Sequence, residues 1–114
     1  MIVKTMKEVQ FETESTYPGV QKKFLIGKRD GSAEIIMRYF VVEPNGSTPY
    51  HSHGFQHLVK VEKGSGVALD KDKNETPLTE GSLVYVADNE IHGFRNTGTG
   101  TFEFVCIVPE RGEK

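Results

Sequence analysis

The four histidines of the chain lie in two places, and their spacing favours metal binding. His51, His53 and His57 lie within seven residues, and His92 follows 35 residues after His57. In an extended segment His51 and His53 share one face, because side chains of a strand repeat every two residues. Gly54 permits a bend, after which His57 begins the next strand on its inward face. We therefore expect three imidazoles to converge, and His92 to complete the site from a neighbouring strand.

This interpretation competes with an exposed polar loop plus an unrelated histidine. Neutral imidazole is the commonest metal ligand near neutral pH, whereas four buried, unliganded imidazoles would leave donors and acceptors without partners. The two-residue spacing alone is a weak signal, and the full spacing is more specific. An all-nitrogen ligand set suits Mn, Fe, Co, Ni, Cu or Zn without choosing among them. We predict one divalent transition metal per chain.

Strands must position these histidines, because no long window of the sequence has a helical period. Short apolar runs alternate with turn residues every eight to twelve positions, which is typical of an all-β sandwich or barrel. Eight or more strands must close into a barrel or form two packed sheets, and periodicity alone does not separate an up-and-down barrel from a jelly roll. Strands are predicted at residues 24–26, 34–42, 57–62, 67–69, 83–87 and 101–108, with a polar hairpin loop at 70–75.

Composition limits the classes of protein to which the chain can belong. A length of 114 residues predicts one domain over residues 1–114, because a second core would not fit. The net charge is −2 and basic residues are scattered, which argues against nucleic-acid binding. No run reaches the roughly 20 apolar residues of a membrane helix. The single cysteine and a start without a secretory signal predict a cytoplasmic protein.

The histidine segment resembles the first motif of the small single-domain cupins. That motif is a glycine, five residues, H-x-H, three or four residues, a glutamate, six residues and a glycine. His51, His53 and Gly64 match it. His57 stands at the position of the glutamate, and Asn45 stands where the leading glycine is usual.

The segment around His92 resembles the second cupin motif. Its pattern is a glycine, five residues, P-x-G, two residues, a histidine, three residues and an asparagine. Gly81, His92 and Asn96 match, while Ala87 replaces the proline and Asn89 the glycine. Together the two motifs span residues 45–96.

The resemblance implies a double-stranded β-helix, or jelly-roll barrel, with the metal inside. Histidine in place of the glutamate is similar to the four-histidine subset of small cupins, and it leaves the metal's +2 charge unneutralised by its ligands. A six-coordinate metal would keep two positions open for water, substrate or dioxygen. Small cupins commonly form homodimers, and residues 2–4 could add a strand to a partner's sheet edge.

Four further residues are candidates for the pocket. Phe104 and Cys106 share an uncharged face of the last strand, so we expect both to point inward, as pocket wall or as plain core. Phe94 follows His92 on the same face, so we expect it to be part of either the pocket wall or the core. Arg38 lies in the middle of its strand, an even number of residues from the charged Glu34, so we expect its side chain to point outward with that of Glu34. The alternative is that Arg38 binds an anionic substrate.

Other polar residues and glycines near the motifs have structural explanations. Asn96 is expected to satisfy backbone groups at a strand end. Gly64 and Gly81 are expected in turns that need a positive φ or a close approach. Glu90 could orient a ligand histidine or could lie in solvent.

Three functions are compatible with these residues. The first is a metal-dependent oxygenase, an oxidoreductase of dioxygenase type, acting on a small organic substrate. The second is a non-redox isomerase or lyase in which the metal polarises a carbonyl. The third is a non-catalytic module that binds a small ligand or a metal, because fold does not determine function.

Overall fold

The structure, a computed structural model, describes residues 1–13 and 17–113, and the regular secondary structure in this part of the chain is almost entirely β-strand. The helices among these residues are short 3-10 turns at Met6–Glu8, Lys28–Asp30 and Glu110–Glu113. None of the described helices is long and apolar enough to cross a membrane. The strands are β1 (Val20–Ile26), β2 (Ile35–Val42), β3 (His57–Lys63), β4 (Gly66–Leu69), β5 (Glu75–Leu78), β6 (Leu83–Val86), β7 (Gly93–Asn96) and β8 (Phe102–Pro109).

The described strands form two antiparallel sheets that share one core. One sheet has the order β1-β2-β8-β3-β6, and the other has the order β5-β4-β7. Residues from both sheets meet in the core, where Phe94 of β7 lies 5.2 Å from Phe104 of β8 between ring centroids. The prediction of an all-β jelly roll is therefore confirmed.

Strand β8 shows how the sequence pattern builds this core. Its residues alternate between buried and partly exposed along its whole length, as expected for a strand with one face on a hydrophobic interior. The inward residues are Phe102, Phe104, Cys106 and Val108. The predicted inward direction of Phe104 and Cys106 is confirmed.

Two of the eight strands, β5 and β7, were not located from the sequence, which predicted eight or more strands but placed six. Strand β5 has exposed residues at its first three positions, including Pro77, so it carries no apolar run. Strand β7 contains Gly93, Arg95 and Asn96, which are poor strand formers. Both strands exist because they pair with β4 on either side, and that pairing is set by the tertiary fold rather than by local propensity.

The predicted outward direction of Arg38 is wrong. Arg38 is 8% exposed and lies on the inward face of β2 with Ile36 and Val42. The prediction assumed that Arg38 shares the outward face of Glu34. Glu34 precedes the first residue of β2, however, and is exposed because the strand has not yet begun. The buried apolar neighbours at two-residue spacing were the better guide.

Asn96 satisfies backbone groups at the end of β7, as predicted from the sequence. Its side-chain Nδ2 donates hydrogen bonds to the carbonyl oxygens of Val42 (2.9 Å) and Gly100 (2.8 Å). Its Oδ1 accepts a hydrogen bond from the backbone N–H of Gly98 (2.8 Å). Because Asn96 is buried, these bonds satisfy polar groups that water does not reach.

Candidate metal centre

Backbone pairing brings the two histidine segments together. His51 and His92 form an isolated antiparallel bridge, in which each backbone N–H donates to the other's carbonyl oxygen, at 3.0 and 2.9 Å. Residues paired directly across an antiparallel bridge hold their side chains close on one face. The bridge therefore places His92 beside the H-x-H segment although 40 residues separate the two in sequence.

The other two histidines reach the same region by different routes. His53 lies two residues beyond His51, and its carbonyl oxygen accepts a hydrogen bond from Asn89 N–H at 2.6 Å. His57 is the first residue of β3 and is 6% exposed, so its side chain points into the barrel. All four predicted ligands thus line one cavity.

Three of the four histidines form a compact cluster. His51, His53 and His92 each offer a nitrogen, and these atoms all lie within 4.8 Å of one another. The Nε2 atoms of His51 and His53 are 2.9 Å apart. His57 is not in this set of nitrogens, although its ring lies as near to the others, with its centroid 4.9 Å from that of His92 and 5.3 Å from that of His53.

Burial keeps the imidazoles of His51, His53 and His57 neutral. It lowers the pKa of His51 to about 4, with further contributions from His53 and His92. It lowers the pKa of His57 to about 3, with smaller contributions from His92 and Arg38. The pKa of His53 is also lowered, first by burial. At neutral pH these three rings therefore carry the lone pairs that a metal ligand requires.

The tautomer of His92 is set by a backbone carbonyl. Its Nδ1 lies 2.9 Å from the carbonyl oxygen of Glu90. A carbonyl only accepts hydrogen bonds, so Nδ1 carries the proton and Nε2 keeps its lone pair. The carboxylate of Glu90 lies elsewhere, accepting a hydrogen bond from Ala87 N–H at 2.9 Å. Glu90 thus orients a histidine through its backbone, and its side chain closes a turn.

The residues present fit a divalent transition metal. Two nitrogens at about 2.1 Å from one metal and at a right angle to each other lie about 3.0 Å apart, close to the 2.9 Å between the Nε2 atoms of His51 and His53. The Nε2 atom of His57 is buried and has no hydrogen-bond partner among the residues that the structure describes. A buried polar nitrogen rarely lacks a partner, and a metal ion would supply one.

A cavity of about 460 Å³ lies beside the histidines. This volume is typical of sites that bind small organic molecules. Its wall is rich in aromatic side chains, and Glu12 is the only carboxylate among its described lining residues. The phenylalanines that line it are Phe24, Phe40, Phe55, Phe94 and Phe104.

The structure brings three of the four pocket candidates to the cavity wall. Phe94, Phe104 and Arg38 line it. Cys106 is 2% exposed and lies behind the wall, where its Sγ accepts a hydrogen bond from Arg38 Nη2 at 2.9 Å and lies 3.4 Å from His57 Nδ1. Sequence reasoning therefore found the wall but not the contact between Cys106 and a candidate ligand.

Sequence reasoning missed three phenylalanines of the cavity. Phe55 stacks on the ring of His53, with centroids 4.5 Å apart and an interplanar angle of 13°. Its position inside the histidine segment was the available signal. Phe24 and Phe40 lie on β1 and β2, and the two-residue spacing of Phe40 from Arg38 would have identified it had Arg38 been assigned inward.

The two antiparallel sheets, with a histidine cluster at the wall of the cavity between them, are those of a double-stranded β-helix protein. The family model described as the Cupin domain matches residues 38–108, which is more than half of the chain. The protein belongs to the cupin family. No curated protein matches the sequence significantly.

Solved structures extend this similarity over nearly the whole chain. The polyketide cyclase RemF from Streptomyces resistomycificus has a TM-score of 0.88 and 26% identity, covering 96% of this chain and 80% of RemF. A cupin 2 domain-containing protein from Halorhodospira halophila has a TM-score of 0.76 and 31% identity, covering 85% and 70%. A predicted oxalate decarboxylase from Thermotoga maritima has a TM-score of 0.82 and 23% identity, covering 95% and 98%, and supports the fold alone.

Proposed function

We propose that this cupin is a metal-dependent enzyme that acts on a small organic molecule with an apolar, aromatic body, and that its reaction is a dioxygenation. The observation that supports this is the position of the histidine cluster at the wall of a 460 Å³ cavity lined by phenylalanines. A metal at that wall would lie beside any molecule held in the cavity. His51, His53 and His92 would hold it, with His57 as the fourth ligand.

The chain's own residues bind and orient the substrate. The rings of Phe94 and Phe104 are packed together and give the cavity a rigid apolar wall, against which a flat substrate stacks. Phe55 covers the ring of His53 and excludes water from one side of the cluster. A divalent transition metal bound there would supply a Lewis acid, and Fe or Mn would also supply electron-transfer chemistry toward dioxygen.

The described residues around the cluster offer little acid–base chemistry of their own. Glu12 is the one carboxylate among the described lining residues, and three of the histidines are neutral because burial lowers their pKa values. The metal is therefore the candidate for the reactive centre. A dioxygenation places both atoms of O₂ in the product and needs no external reductant, in keeping with a site for which we propose no second cofactor.

Oxygen uptake by defined metal forms tests this proposal. Protein purified without a histidine tag is stripped with a chelator, loaded separately with Fe, Mn, Co, Ni, Cu or Zn, and supplied with a panel of aromatic phenols and 1,3-diketones. We expect close to one metal per chain and substrate-dependent oxygen uptake with Fe or Mn. His53→Ala should reduce metal content and abolish uptake. Gln56→Ala, an exposed neighbour in the same segment, should change neither.

A second candidate is a non-redox reaction, in which the protein cyclises or isomerises its substrate. It is favoured by the similarity to the polyketide cyclase RemF, at 26% identity over 96% of this chain. Product formation under strict anaerobiosis with Zn or Ni would support this candidate and contradict the dioxygenase. If ligands raise the melting temperature of the protein but none is converted to a product, the protein is a non-catalytic binding module, and both proposed reactions are contradicted.

A further inference from the structure

The face of β1 and β2 that borders the cavity alternates cationic and aromatic side chains. Backbone pairing places Lys22 of β1 directly opposite Phe40 of β2, and Phe24 of β1 directly opposite Arg38 of β2. All four residues line the cavity. Side chains that lie directly opposite each other in an antiparallel pair are about 5 Å apart on one face. The two cations and the two rings therefore form one continuous patch, the cation–aromatic wall.

Each cation of this wall also lies against the ring two residues along its own strand. Lys22 Nζ is 4.7 Å from the ring centroid of Phe24, and Arg38 Cζ is 5.0 Å from the ring centroid of Phe40. A cation at this distance is attracted by the electron density of the ring face. The charged groups are therefore held beside the rings that border the cavity, and Arg38 is buried with them inside the barrel.

The charges on the lining favour an anion. Among the described lining residues Lys22 and Arg38 are cationic, and Glu12 is the one carboxylate. A cleft lined by an excess of one sign of charge, with walls of low dielectric constant, attracts ligands of the opposite sign. We therefore expect the cavity to bind an anion in preference to a neutral molecule of the same shape.

Arg38 has donors to share between the protein and a ligand. Its Nη2 donates a hydrogen bond to Cys106 Sγ at 2.9 Å and lies 3.5 Å from Nδ1 of His57. A guanidinium has five N–H donors in a planar fork, so these contacts do not exhaust it. Because Arg38 touches a histidine of the cluster, an anion bound to its guanidinium would lie beside the candidate metal centre.

We propose that the cavity selects an aromatic carboxylate, whose carboxylate is bound by Arg38 and Lys22 and whose ring stacks on the phenylalanines of the cation–aromatic wall. The two oxygens of a carboxylate match the fork of a guanidinium, and an ammonium adds a second positive charge. Arg38 and Lys22 are then specificity-determining residues. This inference rests on the proposed function only in so far as the bound acid is a substrate, because binding to the metal-free protein is a property of the wall itself.

Calorimetric titration of chelator-treated protein with matched ligands tests the inference. The probes are benzoate and 2-naphthoate, each compared with its carboxamide, which has nearly the same shape and no charge. Removing metal excludes direct binding of the carboxylate to a metal ion. We expect each acid to bind at least about tenfold more tightly than its amide, because hydrogen bonds between charged groups are stronger than neutral ones.

Two neighbouring lysines of β1 provide matched variants. Lys22 lines the cavity, whereas Lys23 lies on the opposite face of the strand, where its Nζ donates to the carbonyl oxygen of Met6 at 3.2 Å. Lys22→Gln and Lys23→Gln each remove one positive charge from the same strand. We expect Lys22→Gln to weaken the binding of 2-naphthoate by about three- to tenfold and to leave the amide unaffected. Lys23→Gln should change neither affinity.

The outcomes separate this inference from the proposed function. Equal affinity for acid and amide in the wild type, or no binding of either acid, would overturn the inference, and these measurements need no variant to fold. Equal effects of Lys22→Gln and Lys23→Gln would overturn it as well, because the net charge of the protein would then explain the preference. A preference for acids without oxygen uptake by any metal form would support the inference and refute the dioxygenase. Oxygen uptake with neutral phenols, without any preference for acids, would do the reverse.

Discussion

Gly64 and Gly81 both have a positive φ, yet their surroundings differ in a way that a substitution can measure. Gly64 has φ +82°, and a Cβ built on it would lie 2.2 Å from the carbonyl oxygen of Thr101. Gly81 has φ +87°, and a Cβ there would meet nothing within 4 Å. A positive φ costs an L-residue roughly 1–2 kcal/mol, and a clash with backbone adds to that cost.

We predict that Gly64→Ala lowers the free energy of unfolding more than Gly81→Ala does. The expected losses are above about 3 kcal/mol for Gly64→Ala and about 1–2 kcal/mol for Gly81→Ala, because only the first must also move a neighbouring strand. Urea unfolding of both variants measures the difference. Equal losses would mean that the approach of Thr101 to Gly64 does not constrain the fold.

At the scale of residues, sequence spacing predicted where the candidate ligands lie but not how each is held. The two-residue period was enough to expect His51 and His53 on one face, and the structure brings their Nε2 atoms within 2.9 Å of each other. The Glu90 carbonyl and the Cys106 sulfur beside the second ring nitrogens of His92 and His57 could not be predicted. Those contacts depend on backbone direction and on pairing between distant strands, which local spacing does not encode.

At the scale of elements, the strands predicted from apolar alternation are those of the larger sheet, together with β4. The long strand β2 and the terminal strand β8 were placed within one residue at each end, because β2 is rich in β-branched and aromatic residues and β8 carries apolar residues at every second position. The strands without such a pattern, β5 and β7, complete the smaller sheet by pairing with β4. The register of β5 and β7 is set by pairing with β4, so it cannot be predicted from the local sequence of either strand.

The outer face of the larger sheet carries an apolar row that crosses four strands. Backbone pairing aligns Met37 of β2, Ile107 of β8, Leu58 of β3 and Tyr85 of β6. Leu58 is 53% exposed, Tyr85 57%, and Leu83 beside them 77%. Adjacent exposed apolar residues on a sheet face are typical of interaction surfaces.

We propose that this outer face is the interface of a homodimer. Lys60 and Glu62, 3.5 Å apart, follow Leu58 on β3, so the surface carries both signs of charge and can complement a second copy of itself across a two-fold axis. Residues 2–4, expected from the sequence to add a strand to a partner, lie outside the strands of this chain, and Lys4 contacts Asp30 at 2.9 Å. The broad apolar row is the stronger candidate.

Light scattering of two variants distinguishes these interfaces. We predict a dimeric mass for the wild type and for Val3→Glu, and a monomeric mass for Leu58→Glu, because a buried unpaired carboxylate at the centre of the row is costly. Circular dichroism should show that both variants keep the β-structure. A monomeric wild type would refute the dimer, and a monomeric Val3→Glu would move the interface to the N-terminal segment.

At the scale of the whole molecule, the histidine cluster couples folding stability to pH. Burial lowers the pKa of His57 to about 3 and that of His51 to about 4, and it lowers the pKa of His53 as well. In the unfolded chain these groups have pKa values of about 6.5. Below pH 6.5 the unfolded chain therefore binds protons that the folded, metal-free protein does not, and stability must fall as the pH falls.

We predict that the metal-free protein loses on the order of 2–4 kcal/mol of unfolding free energy between pH 6.5 and pH 5.0, since each pKa unit is worth about 1.4 kcal/mol per group. The pKa values of the Asp30 and Asp70 carboxyls are lowered from 3.8, so these groups titrate mainly below this window and the loss is assigned to histidine. Above pH 6.5 the stability should be flat with respect to these groups. Urea unfolding at a series of pH values, on chelator-treated protein, measures the slope, and His57→Gln should reduce it because one buried titrating group is gone. If the stability of the metal-free protein stays constant or rises on acidification, the buried imidazoles accept protons in the folded state. The claim that burial keeps these metal-binding histidines neutral would then be wrong.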